Sequence, residues 1–383
     1  MGRRLTFALG ALASLGVAAG LAAYFKRDDL TRLLNVNALF DEDRIIANFS
    51  NMAGLFFSET VARGGPAHVW PEAKRDIAAT YRWEGADKPV AGWLAETDTT
   101  SLLVVKGDAI VFEDYYLGTK PDDLRISWSV AKSVMSALFG IAVADGRIKS
   151  LDDPVDAYAP MLKGSAYEGV TIRNVLNMAS GVRFNEDYLD FWSDINKMGR
   201  VLALGGSMDR FAAGLTDRVG EPGAEWRYVS IDTHVASMVL RAATGVPLQR
   251  FMSDHLWSKI GAETDAVYLT DSEGAAFALG GLNLTTRDYA RFGRMMLGFG
   301  AFNGTQIIPA EWAARSVQPT APVKGEHPAG YGYQWWVPDN AFGEFYAIGV
   351  YGQYIYVNRP AGVVIVKTSA DRQFMDDGAK GNR

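Results

Sequence analysis

A chain of 383 residues with 48% apolar and 12% aromatic residues is long enough to bury a sizeable core, which excludes a disordered or low-complexity protein. Its net charge of -6, with no Lys/Arg cluster beyond short pairs, speaks against a nucleic-acid partner, because phosphate binding draws on grouped cations. With no Cys and four scattered His, disulfides, thiolate nucleophiles and Cys-based metal sites drop out, and neither a metal nor another cofactor is expected.

Arg3 and Arg4 precede an uncharged, mostly apolar segment from Leu5 to Phe25 that ends at Lys26-Arg27-Asp28-Asp29. Residues 1–27 read as a signal anchor or a signal peptide. The run is about the length that spans a bilayer, while Ala18-Ala19-Gly20-Leu21-Ala22-Ala23 offers small residues for cleavage. A buried apolar helix is the plainer alternative. Either of the first two readings places the body in the cell envelope, on the periplasmic side, with a membrane as partner if the segment stays attached. Residues 28–95 show aromatics and turn formers without a strong period and read as an N-terminal covering arm rather than a domain.

The domain that follows, 96–383, opens with strands over 96–126. Ser101-Leu102-Leu103-Val104-Val105 and Ala109-Ile110-Val111-Phe112-Glu113 flank Lys106-Gly107-Asp108, a hairpin signal. Next comes Ser127-Trp128-Ser129-Val130-Ala131-Lys132-Ser133, at the head of an apolar run to Ala142 that should end as a helix near Asp145-Gly146. Ser129 and Lys132 lie three apart and share a face of its first turn. A serine hydroxyl needs a neighbour to take its proton, and a lysine can do so only where burial or nearby positive charge lowers its pKa. The apolar helix can supply that burial. On its own the pair is equally compatible with a helix-start Ser and an exposed Lys.

Helical patterns dominate about 127–300, with starts near Leu151–Val155, Thr171, Ile231 and Thr286, and a stop at Phe299-Gly300. Just ahead of the Ile231 helix, Tyr228 follows a turn at Pro222-Gly223, where its hydroxyl could reach a cleft or its ring simply pack. Strands return over about 330–370, at Gly332–Val337, Phe345–Ile348, Gln353–Val357 and Gly362–Val366. The pattern is α+β: a sheet built from both ends of the domain, with a mainly helical region inserted.

Taken together, Ser129-Val130-Ala131-Lys132, Tyr228-Val229-Ser230 and Gly280-Gly281-Leu282-Asn283-Leu284-Thr285-Thr286-Arg287-Asp288-Tyr289 resemble the serine β-lactamase-related hydrolases, in the branch of class C β-lactamases, esterases and 6-aminohexanoate-dimer hydrolases. The Ser-x-x-Lys spacing is a known signature of β-lactamases and penicillin-binding proteins. The resemblance covers about residues 90–370. It implies an antiparallel sheet flanked by helices, with Ser129 as the acylated nucleophile, Lys132 as its base and Tyr228 as the proton relay to the leaving group and the deacylating water. One element departs from the pattern. Where penicillin-recognising members carry Lys-Thr-Gly, this chain reads Ala347-Ile348-Gly349-Val350-Tyr351-Gly352-Gln353, without the cation and hydroxyl that hold a substrate carboxylate. The backbone can still serve, with the Ser129 and Val350 N–H groups as an oxyanion hole and with Gly349 and Tyr351 against the substrate.

The nylon-oligomer branch has such an apolar third element, and there a loop tyrosine closes over bound amide. Tyr188, in Phe184-Asn185-Glu186-Asp187-Tyr188-Leu189-Asp190-Phe191-Trp192, matches it. The acids Glu186, Asp187, Asp190 and Asp194 then favour a substrate with a free amine, or else form only a solvated loop. The function expected is a serine hydrolase cleaving a small ester or linear amide. A D-Ala-D-Ala-type peptidase or β-lactamase is one alternative, and a non-catalytic, membrane-tethered binding protein another. A Ser-His-Asp triad is disfavoured, since there is no Gly-x-Ser-x-Gly elbow and His234 and His255 read as structural.

Overall fold

The computed structural model describes residues 27–375 apart from 326, 328 and 341; the expected signal or anchor segment lies outside the described residues. Among the described residues no helix is long and apolar enough to cross a membrane. The main sheet has seven antiparallel strands. Its strands are β2 (Thr99–Lys106) and β3 (Ala109–Tyr115) from the start of the domain, and β7 (Ala329–Gly332), β8 (Trp335–Pro338), β9 (Glu344–Gly349), β10 (Gln353–Asn358) and β11 (Val363–Ser369) from its end. They run in the order β7-β8-β9-β10-β11-β2-β3. The first and last thirds of the domain meet where Val104 pairs with Ile365. Strict alternation marks β10, where Gln353, Ile355 and Val357 are buried while Tyr354, Tyr356 and Asn358 between them are less so.

Between this sheet and the inserted region lies helix α3 (Val130–Ala144), buried at every residue from Val130 to Ala142. A helix apolar all round must be buried all round, so Lys132 goes inside with it. Helix α6 (Ser230–Thr244) packs on α3, and α7 (Thr286–Leu297) lies across β10, β11 and β2. Thr171 caps the short helix α4 (Ile172–Leu176) by accepting from the Asn174 N–H at 3.2 Å.

Two expectations need correction. A single strand was expected over Gly332–Val337. The chain instead turns at Tyr333-Gln334, with Gln334 at φ 66°, so β7 and β8 form a hairpin. Gln334 is held there by buried hydrogen bonds from Thr233 Oγ1 and to the carbonyls of Val175 and Leu176.

The inserted region is mainly helical, as the sequence implies, and also carries short strands. β5 (Ala266–Leu269) and β6 (Leu282–Leu284) form a second sheet with β4 (Arg125–Ile126) and β1 (Ser58–Val61), in the order β1-β5-β6-β4. Because β1 belongs to the arm, the arm is more than a cover: Ser58 to Val61 pair in antiparallel register with Leu269 to Ala266. Arg125, buried, donates to the Ile46 carbonyl at 2.7 Å and to Ser50 Oγ at 2.8 Å, tying arm helix α2 (Ile45–Ser50) to β4. Arm helix α1 (Arg27–Asn37) docks on α5 (Asp194–Ala203) through Arg32 Nε, 3.0 Å from the Ala203 carbonyl.

Candidate active site

Ser129 occupies the N-cap of α3, and one turn on, Lys132 brings Nζ to 2.7 Å from Ser129 Oγ. The same nitrogen lies 3.1 Å from Ser230 Oγ and 3.1 Å from the Leu279 carbonyl. Lys132 is 1% exposed, and burial brings its pKa down to about 7, against the opposing field of Glu186. The neighbours fix the polarity of this cluster. The Leu279 carbonyl can only accept, and the Ser230 hydroxyl is committed as donor to Glu186 Oε1. Two amine N–H bonds are therefore spent on Ser230 and Leu279, which leaves the lone pair of neutral Lys132 for the Ser129 O–H.

Glu186 is thus part of the site, correcting the view of it as one of several solvated acids. Its carboxylate accepts from Ser230 N (3.0 Å), Ser230 Oγ and Tyr188 Oη (2.8 Å). The other loop acids spend their oxygens locally: Asp187 on the Leu189 N–H, Asp190 on that of Trp192, and Asp194 on Asn185 and Lys197. Sequence reasoning missed both Ser230 and Glu186 as members of the network. The Tyr228-x-Ser230 spacing was the available signal for the first, while nothing local marks one loop glutamate from its neighbours.

Tyr228 stacks on Trp336, with centroids 5.7 Å apart and planes at 18°, and the Lys132 ammonium position lies 5.0 Å from its ring centre. Burial, reinforced by the Glu186 carboxylate, pushes its phenol well above the ordinary value, although the hydroxyls of Ser129 and Ser230 pull the other way. At neutral pH it carries its proton.

Val350 follows β9 directly, and both it and Ser129 line one cavity. Among the described residues neither N–H has an acceptor. Gly349 turns out not to line that cavity. A Cβ there would stand 2.5 Å from the Ser127 carbonyl oxygen and 3.1 Å from Trp128 Cβ, so the glycine lets the sheet edge abut the turn before Ser129 rather than making room for substrate.

The residues flanking the two N–H groups, Trp128 (φ 43°) and Tyr351 (φ 60°), both adopt left-handed backbone, which costs side-chain-bearing residues about 1–2 kcal/mol each. The arm holds them in place. Phe40 stacks on Tyr351 (4.8 Å, 14°) and lies 5.9 Å from Trp128, and Phe49 meets both edge-on at 5.4 and 5.5 Å. Tyr351 and Tyr188, the two expected at the substrate, both line the cavity. His234 is buried against Asp209 at 2.8 Å, His255 stacks on Phe251 at 4.3 Å, and neither lines the cavity beside Ser129.

The sequence pattern of the β-lactamase family matches residues 90–383. A 6-aminohexanoate-dimer hydrolase of Paenarthrobacter ureafaciens is 32% identical over 84% of this chain and 84% of its own length. Among solved structures, a Bacillus anthracis protein assigned as a 6-aminohexanoate-dimer hydrolase superposes with a TM-score of 0.77 at 25% identity, over 87% of this chain and 90% of that one. A penicillin-binding protein homologue from Pyrococcus abyssi shares the fold at 18% identity, with a TM-score of 0.57 over 74% of this chain and 72% of its own. A match across more than half of the sequence, which includes the buried Ser129–Lys132 pair, means that the chain belongs to the β-lactamase family, as a serine hydrolase acting on amide or ester bonds.

Proposed function

We propose that this protein hydrolyses small open-chain esters or amides through an acyl-enzyme on Ser129, and the observation that carries the reading is the 2.7 Å approach of a buried, pKa-lowered Lys132 to Ser129 Oγ. Neutral Lys132 takes the proton as Ser129 Oγ bonds to the carbonyl carbon, and the Ser129 and Val350 N–H groups receive the oxyanion. As the C–O or C–N bond breaks, Tyr228 gives its proton to the leaving atom and is re-protonated from Lys132. Water then loses a proton to the same pair, attacks the acyl carbon, and the acid leaves as Ser129 recovers its hydrogen. A phenol held protonated suits a donor of this kind.

The missing Lys-Thr on β9 favours open-chain substrates over β-lactams or D-Ala-D-Ala peptides, whose carboxylate would lose a charge-assisted contact worth about 1.5–3 kcal/mol. In this reading the apolar segment Leu5–Phe25 delivers the enzyme to the periplasmic side of the envelope. Covalent capture tests it: short esters should acylate Ser129, and β-lactams should do so far more slowly.

A pH effect follows from the lysine. Only the neutral amine accepts a proton, so kcat/KM should fall as pH drops through about 7, the value burial sets for Lys132. The Glu186 anion favours the ammonium form. Glu186→Gln is therefore expected to lower the lysine's pKa further and move this acidic limb to lower pH. A limb that stays in place or moves up would separate Glu186 from the base.

A further inference from the structure

The cavity that opens beside Ser129 has a volume of about 330 Å³. Ser129 and Val350 are in its wall and Tyr228 is not. Because the leaving atom takes its proton from Tyr228, the cavity belongs to the acyl half of the substrate. Its wall is mainly apolar, with Leu39, Phe40 and Met52 from the arm and Ile195, Met198 and Leu202 of α5, interrupted by Asn37 and Asn196. The apolar lining continues to the surface, for Leu189 and Phe191 both line the cavity and are 79% and 54% exposed.

Among the described lining residues Arg200 is the one charged side chain, and its guanidinium lies over the Phe191 ring at 4.2 Å. No carboxylate is in the wall. Glu186 is consumed by Ser230 and Tyr188, and the other loop acids by the backbone amides and lysine named above. An ammonium drawn into this space would lose much of its water and meet no carboxylate among the lining residues, whereas a methylene gains on entry.

We propose that the acyl group this enzyme takes is an uncharged hydrocarbon chain of several carbons, with the arm and α5 as the surfaces that select it. The inference rests on the acyl-enzyme reading above and goes beyond it. It also departs from the expectation of a free-amine substrate, because none of the acids that suggested one is among the residues lining the cavity.

Gly199 provides a structural handle. It follows Ile195 by four positions on α5 and lines the cavity, and a Cβ there meets nothing within 4 Å, so a side chain added at this position starts in open space beside the cavity.

The test is the kcat/KM series for p-nitrophenyl acetate, butyrate and heptanoate on the native chain, beside the 6-aminohexanoate and 5-carboxypentanoate esters of similar length, with intact-mass detection of acyl-Ser129. A rise of about fourfold per buried methylene is expected. The amino and carboxy esters should each react at least tenfold more slowly than heptanoate, and Gly199→Phe should cut the heptanoate-to-acetate ratio at least tenfold. Acylation of Ser129 with a flat series, or with either charged ester as the best substrate, overturns the hydrocarbon assignment alone and leaves the acyl-enzyme reading standing. Absence of any adduct on Ser129 overturns both.

Discussion

Lys132→Met should lower kcat/KM for a short ester by about 10⁴-fold or more, the loss seen when one member of a nucleophile–base unit is removed. Nζ is the basic group within hydrogen-bond distance of Ser129 Oγ, and its pKa of about 7 leaves a large neutral fraction at physiological pH. Methionine fills a similar volume without a lone pair or an N–H. The Leu279 carbonyl and Ser230 Oγ then lose a donor, at about 1–3 kcal/mol for a buried acceptor, partly offset by relief from burying the amine. The variant should keep a cooperative thermal transition while losing activity. Lys132→Arg should fail equally, because a guanidinium stays protonated. Steady-state rates with a melting curve on the same samples check both, and activity within tenfold of the native chain would contradict the role given to Lys132.

Tyr228→Phe is expected to cost about 10²–10⁴-fold, the usual span for a positioned general acid. Phenylalanine keeps the stacking on Trp336 at 5.7 Å, so packing survives while the proton is lost. The loss should depend on the leaving group. An amide nitrogen must be protonated to depart and p-nitrophenolate need not be, so the variant should be impaired more severely on an anilide or alkylamide than on the activated ester of the same acid. Equal losses on both substrates would remove the relay role and leave Tyr228 as packing.

What could be read in the sequence was what is written locally. Ser129 and Lys132 meet because three residues of helix bring them together, and the apolar run that follows already implied burial of the amine. The strands β10 and β11 were as plain, as runs rich in β-branched and aromatic residues. The features that escaped depend on distant partners. Nothing between Ser58 and Val61 announces a strand whose complement lies at Ala266 to Leu269. Gln334 takes a left-handed turn because Thr233, Val175 and Leu176 satisfy its buried amide, which local propensity cannot show. Gly349 was legible as a position needing no side chain, yet the atom a Cβ would meet first there is the Ser127 carbonyl oxygen, which the sequence does not announce. Glu186 differs from Asp187, Asp190 and Asp194 only in where the loop carries it, which turns a charged stretch into one carboxylate that orients Ser230 and three that brace the loop.

The central claim is that Ser129 carries the acyl group. Mixing the intact chain with a short p-nitrophenyl ester, quenching in acid within the first turnovers and weighing the protein tests it directly. The account predicts a mass gain equal to one acyl group, located on the peptide containing Ser129 and absent from Ser129→Ala. Turnover without an adduct on Ser129, or an adduct that persists in Ser129→Ala, would contradict it.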